Sequence, residues 1–167
     1  MTNLQDAVGT SHDEAQLRYL RAAELAQQQQ YAEAESEFIA ALTMNPGMHT
    51  ARFQLGLLQL TNANVTAARA TWAQLLDPNT PVDLQHFVRG LDALIHDDFQ
   101  TAIAHLEVGI SLNHTNLPLN KDMQMVIEKI RVAMESPAPP TKASMSTDEK
   151  PADSPTRTDF SLYEKKY

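Results

Sequence analysis

The stretch Tyr31–Pro46, YAEAESEFIAALTMNP, places Tyr31, Ala34, Phe38 and Ala41 at steps of three and four and then stops at Asn-Pro. Those steps put the four side chains on one stripe of a helix, with Glu33, Glu35, Ser36 and Glu37 off it. An ordinary core-facing stripe could be leucine throughout. Alanines at fixed places between large residues instead point to a neighbouring helix that passes close by.

The same pattern returns twice. Tyr31, Val65 and Phe99 are separated by steps of 34 residues, and so are Ala34, Ala68 and Ala102. Phe38, Trp72 and Leu106 keep this register, followed by Ala41, Leu75 and Gly109. In the helices that precede them, Ala22, Gly56 and Gly90 align at the same step. Small residues on one helix thus face small residues on the next, and large residues fill the space between successive units.

A gapless 34-residue period of this kind resembles the tetratricopeptide repeat family. Three repeats, roughly 15–48, 49–82 and 83–116, cover most of the segment that reads as folded. The resemblance implies an all-α solenoid of helical hairpins, each unable to bury its faces alone. There are departures. Arg18, Arg52 and His86 stand where the family usually has tryptophan, and Thr80 and His114 stand where it has the late proline kept as Pro46.

Local signals divide the chain in the same way. Ser11-His12-Asp13-Glu14 reads as a capping box opening a helix to about Gln28, after a flexible segment 1–10. Helices are predicted from Met48 to Thr61 and from Asn64 to Leu76. Thr80 reads as an N-cap with Pro81 at the first helical position of a helix reaching His96. One more helix ends near Asn113. A last one, opened by Pro118 and running to Glu135, carries Leu119, Met123, Val126, Ile127, Ile130 and Met134 on one stripe and reads as a cap on the stack. The repeat domain with its cap is thus predicted over 11–135.

Residues 136–167 change in composition. Closely spaced proline, serine and threonine leave too little apolar surface to offset the ordering entropy, so a disordered tail is expected. Phe160, Leu162, Tyr163 and Tyr167 return at its end as a candidate short recognition motif, for another protein or for self-docking on this one.

Charge and composition exclude some function classes. The net charge is −8, with 16 acidic against 8 basic residues up to Glu135 and a balanced tail, which disfavours nucleic acid. No apolar run approaches the ~18 residues that would suggest membrane insertion. No cysteine is present, and the first residues lack a signal-peptide pattern, so a cytoplasmic location is expected. The six histidines include no His-x-x-x-His pair, and neither a nucleophile elbow nor a phosphate loop occurs. No cofactor, metal site or enzymatic activity is expected. His96-Asp97-Asp98 falls where the repeat needs a polar turn and cap.

The family resemblance implies a concave groove lined by the first helix of each repeat, and so places Tyr19, Phe53, Leu57, Leu60, Phe87, Leu91 and Leu94 there. The cationic clamp that some members use for C-terminal carboxylates is missing, because its places hold Tyr19, Ala23, Gln54, Leu84 and Val88. The resulting expectation is a protein-interaction module, an adaptor, assembly factor or chaperone-like protein, that takes an apolar peptide segment in the groove. The alternative is a structural subunit that uses its convex or edge surfaces.

Overall fold

The computed structural model describes the backbone of residues 4–135 and the side chains of residues 11–135. Among these residues the chain is all-helical, with seven α-helices and no strand. They are α1 (Leu4–Gln27), α2 (Tyr31–Met44), α3 (His49–Thr61), α4 (Val65–Ala73), α5 (Val82–Ile95), α6 (Phe99–Leu112) and α7 (Leu117–Glu135), with a 3-10 turn, Gln74–Leu76, extending α4. Three pairs, α1 with α2, α3 with α4 and α5 with α6, pack most extensively, and each pair touches the next through α2–α3 and α4–α5. α7 lies on α6. The tail and its Phe160, Leu162, Tyr163 and Tyr167 cluster lie outside the described residues.

The close helix crossings fall where small residues were placed by sequence. A Cβ on Gly56 would sit 2.5 Å from Trp72 Cδ1 and closer still to Nε1, and one on Gly90 would sit 2.8 Å from Leu106. Ala22, Ala34, Ala68 and Ala102 are wholly buried. Trp72 fills the second crossing, and its Nε1 donates to the Phe53 carbonyl at 3.0 Å. That bond satisfies the only polar atom of a buried indole, so the large side chain carries no desolvation penalty for its N–H.

The turn inside each pair repeats as well. Gln29, Ala63 and Asp97 take left-handed backbone, with φ of 61°, 58° and 57°. They follow one another at the 34-residue step. After each, the next residue's N–H reaches back to close the helix end: Gln30 to Leu25 O at 2.9 Å, Asn64 to Gln59 O at 2.8 Å, Asp98 to Ala93 O at 3.0 Å. This is the usual left-handed helix terminator, built here without glycine. Asn64 and Asp98 then cap the following helix by accepting from the Ala67 and Thr101 backbone N–H groups.

Two expectations are corrected. α1 begins at Leu4, so Ser11 lies inside a helix and does not cap one. Apart from Gly9, residues 4–10 contain no strong helix breaker, and continuation from an existing helix needs no new nucleus. Thr80 does not cap α5. Pro81 keeps an extended ψ of 132° and stands just outside the helix, leaving the buried Thr80 Oγ1 without a hydrogen-bond partner.

The core has two parts that meet at α3. Ala51, Leu55 and Leu58 on one face of α3 pack with Ala22, Ala34, Phe38 and Leu42 of the first pair. Phe53 and Leu60 on its other face join Trp72, Leu75, the buried residues of α5 and α6, and Leu119, Met123, Val126, Ile127 and Ile130 of α7. Polar ties run across the same junctions. Gln59, buried, donates to Glu35 at 2.8 Å and accepts from Thr71 at 2.7 Å, so one side chain joins α2, α3 and α4. Arg69 pairs with Asp92 at 2.7 Å, and Arg131 with Glu107 at 2.7 Å. At the entry to α7, buried Asn113 donates to Asn120 and to the Asn116 carbonyl, and accepts from the Thr115 and Asn116 N–H groups. One side chain thereby satisfies the irregular backbone between α6 and α7.

Candidate functional site

The structure separates the seven residues expected to line a groove. Phe53, Leu60, Phe87, Leu91 and Leu94 are buried in the core, and only Tyr19 and Leu57 keep partial exposure. The physical reason is local. Phe53 stacks on Trp72 with ring centroids 6.0 Å apart, and tilts against Phe87 at the same separation. Phe87 in turn fills the space opened by Gly109, where an added Cβ would sit 2.5 Å from its ring. Large residues on the first helices therefore turn inward onto the second helices, Phe53 onto Trp72 and Phe87 onto Gly109. A trough walled by these five side chains is not available to a peptide in this structure. Tyr19 packs on Phe38 with ring centroids 6.1 Å apart, and burial raises its pKa, an effect partly offset by a hydrogen bond with Gln54.

The exposed apolar surface lies elsewhere. Leu17, Ala51, Gln85 and Leu119 occupy equivalent places, each 34 residues after the last. Ala51 is 0%, Leu119 5% and Gln85 9% exposed: Ala51 and Leu119 pack in the core against the preceding pair, and Gln85 donates to the Asp77 and Thr80 carbonyls of the linker before α5. Leu17 is 66% exposed, and no described element covers it. Leu20 is 54% exposed, while Val88, its equivalent two steps on, is buried. The first pair thus presents to solvent the face that later units use to receive a neighbour. The signal was present in the sequence as the 34-residue alignment of Leu17 with Leu119.

At the other end, Leu119, Met123 and Val126 sit 68 residues after Ala51, Leu55 and Leu58 and are buried in the same manner. α7 therefore buries the same register positions that α3 does. Beside it, an open cleft of about 370 Å³ runs between α6 and α7, lined by Glu107, Ile110, Gln124, Ile127, Glu128 and Arg131 among others.

Among the described residues no three of His, Cys, Asp or Glu come together as ligands. His86 and His105 face each other across α5 and α6, with Nδ1 atoms 3.0 Å apart. At that distance one nitrogen must donate and the other accept, so the two rings are not both protonated. Burial, the neighbouring His105 and then Arg89 lower the His86 pKa. The His96-Asp97-Asp98 triplet is a turn: Asp97 is its left-handed residue, and Asp98 caps α6, its pKa lowered by the hydrogen bonds from Thr101. No helix among the described residues is long and apolar enough to cross a membrane.

Compared with protein-family models, with curated proteins and with solved structures, the chain matches none of them.

Proposed function

We propose that this chain is a tetratricopeptide-type helical repeat that works without catalysis, as a protein-interaction module, through the apolar edge at Leu17 and Leu20. The carrying observation is the exposure of Leu17 at a place where the three equivalent residues are covered. A partner that lays an apolar helix face across α1 would take the place of a preceding hairpin and bury two leucines. Each leucine fully removed from water contributes ~1.5–3 kcal/mol. The flanking Arg21 and Glu24 are exposed and set a polar rim around it. Support for the repeat reading comes from the 34-residue recurrence of the left-handed turns and of the close crossings.

The test is site-specific photo-crosslinking in the native cell. A photoreactive residue at Leu17 or Leu20 is expected to give a discrete adduct that is lost in an L17E/L20E variant of unchanged melting temperature. The same residue at exposed Ala104 of α6 is expected to give none. An adduct from Leu57 or Tyr19 with none from Leu17 would overturn the edge reading and restore a groove.

A further inference from the structure

α7 is built as the first helix of a hairpin, and no described second helix covers it. In the second pair, Gly56 and Gln59 of α3 meet Trp72 and Thr71 of α4, their own second helix. In the third, Gly90 meets Leu106 of α6. The residues at these places in α7 are Gln124 and Ile127, two 34-residue steps on from Gly56 and Gln59, and they line the cleft between α6 and α7. Gln59 also touches Glu35 of the preceding second helix, just as Ile127 shares the cleft with Ile110 of α6. The cleft is therefore the seat that a further second helix would occupy.

The same chain contains a segment with that helix's pattern. The second helices open with a polar residue and then an apolar one, followed by apolar residues three and seven positions on: Asn64-Val65, Ala68, Trp72, and Asp98-Phe99, Ala102, Leu106. Asp159-Phe160, Tyr163 and Tyr167 repeat the spacing. One difference marks this crossing. Where α3 and α5 carry a glycine against Trp72 and Leu106, α7 carries Gln124, opposite the place of Tyr167, so the helix would stand further off, and the cleft has about 370 Å³ to take the larger side chains. Glu107 in the cleft already pairs with Arg131, which leaves Glu128 as the carboxylate that Lys165 or Lys166 of the segment would meet.

We infer that Asp159–Tyr167 of the same chain docks in the α6–α7 cleft as the start of a second helix. The inference rests on the repeat reading above. The 23 residues between Glu135 and Asp159 suffice as a tether. A random coil of 23 residues spans ~24–29 Å, and Arg131 of the cleft lies only ~6 Å along α7 from Glu135. A tether of this length gives an effective concentration of ~1 mM, so a segment affinity tighter than that keeps the cleft mostly filled.

The test uses the full chain. It has no cysteine, so Thr158→Cys carries a single nitroxide beside the segment. The expected result is strong broadening of the Ile110 and Ile127 methyl signals and none at Ile39 of α2. Replacing Phe160, Tyr163 and Tyr167 together with serine is expected to abolish the broadening. No broadening in the labelled chain, or broadening centred on the first pair, overturns the inference. Broadening that appears fully when labelled chain is mixed with isotope-labelled, nitroxide-free chain also overturns it, and assigns the segment to a second copy. Unaltered crosslinking at Leu17 alongside a negative result would remove the docking claim alone and leave the proposed function standing.

Discussion

Gly56→Ala is the most informative single change in the fold. In an exposed helix this substitution stabilises by ~1 kcal/mol. Here the new methyl would meet the indole of Trp72, with Cδ1 at 2.5 Å where carbon contacts normally lie near ~3.5–4.0 Å. The ring cannot step aside, because it is buried, stacked on Phe53 and hydrogen-bonded to the Phe53 carbonyl. Forcing the two helices apart costs ~1–3 kcal/mol by overpacking, and stretching or losing the indole bond adds ~0.5–1.5 kcal/mol. Set against the propensity gain, the net effect is a destabilisation of about 2 kcal/mol. For a domain of this size that lowers the melting temperature by ~6–10 °C. Urea titration of the wild type, Gly56→Ala, Trp72→Leu and the double variant measures it as a cycle. The cost of Gly56→Ala should shrink by ~1 kcal/mol or more once the indole is gone, since the two residues touch. A stabilised Gly56→Ala, or a cost unchanged by Trp72→Leu, would refute the crossing.

Trp72→Ala empties the crossing of α3 and α4 within the second pair and should cost ~3–5 kcal/mol in urea unfolding. Ala63→Gly should do the reverse of a glycine inside a helix and stabilise by up to ~1 kcal/mol, because Ala63 is exposed and held at φ 58°, which thermal melting would register. Thr80→Val removes a buried hydroxyl that has no partner, so calorimetry should find it neutral or stabilising. The His86 pKa is lowered by burial, His105 and Arg89, so folding favours its neutral form. Its contribution is fully present above the unfolded pKa of ~6.5 and is lost as pH falls through the lower folded value. The melting temperature should therefore drop between pH 7.5 and 5.5 by more in the wild type than in His105→Gln.

The sequence carried the period, the small and large positions and the α-helical class, because a repeated crossing constrains residue size at fixed steps. Ala34, Gly56, Ala68, Gly90 and Ala102 could be placed with no structure at all. It did not carry the direction of the large side chains on the first helices. Phe53 and Phe87 match a groove-lining pattern, yet each turns inward because Trp72 and Gly109 offer a better contact than solvent does. The left-handed turns were also hidden, since glycine announces such a turn and Gln29, Ala63 and Asp97 do not. Thr80-Pro81 misled for a related reason: proline suits the first turn of a helix, but an extended ψ places it just as well before one. The Leu17 edge was legible only as a difference between units, one leucine left uncovered where its equivalents are buried.

The central claim is that the first-helix leucines form core while the α1 edge faces solvent. A soluble paramagnetic agent added to methyl-labelled full chain tests it most directly. The account predicts that Leu60, Leu91 and Leu94 methyl signals stay sharp while those of Leu17 and Leu20 are bleached. Bleaching of Leu60, Leu91 and Leu94 with protection of Leu17 and Leu20 would contradict it and mean an open groove with a covered edge.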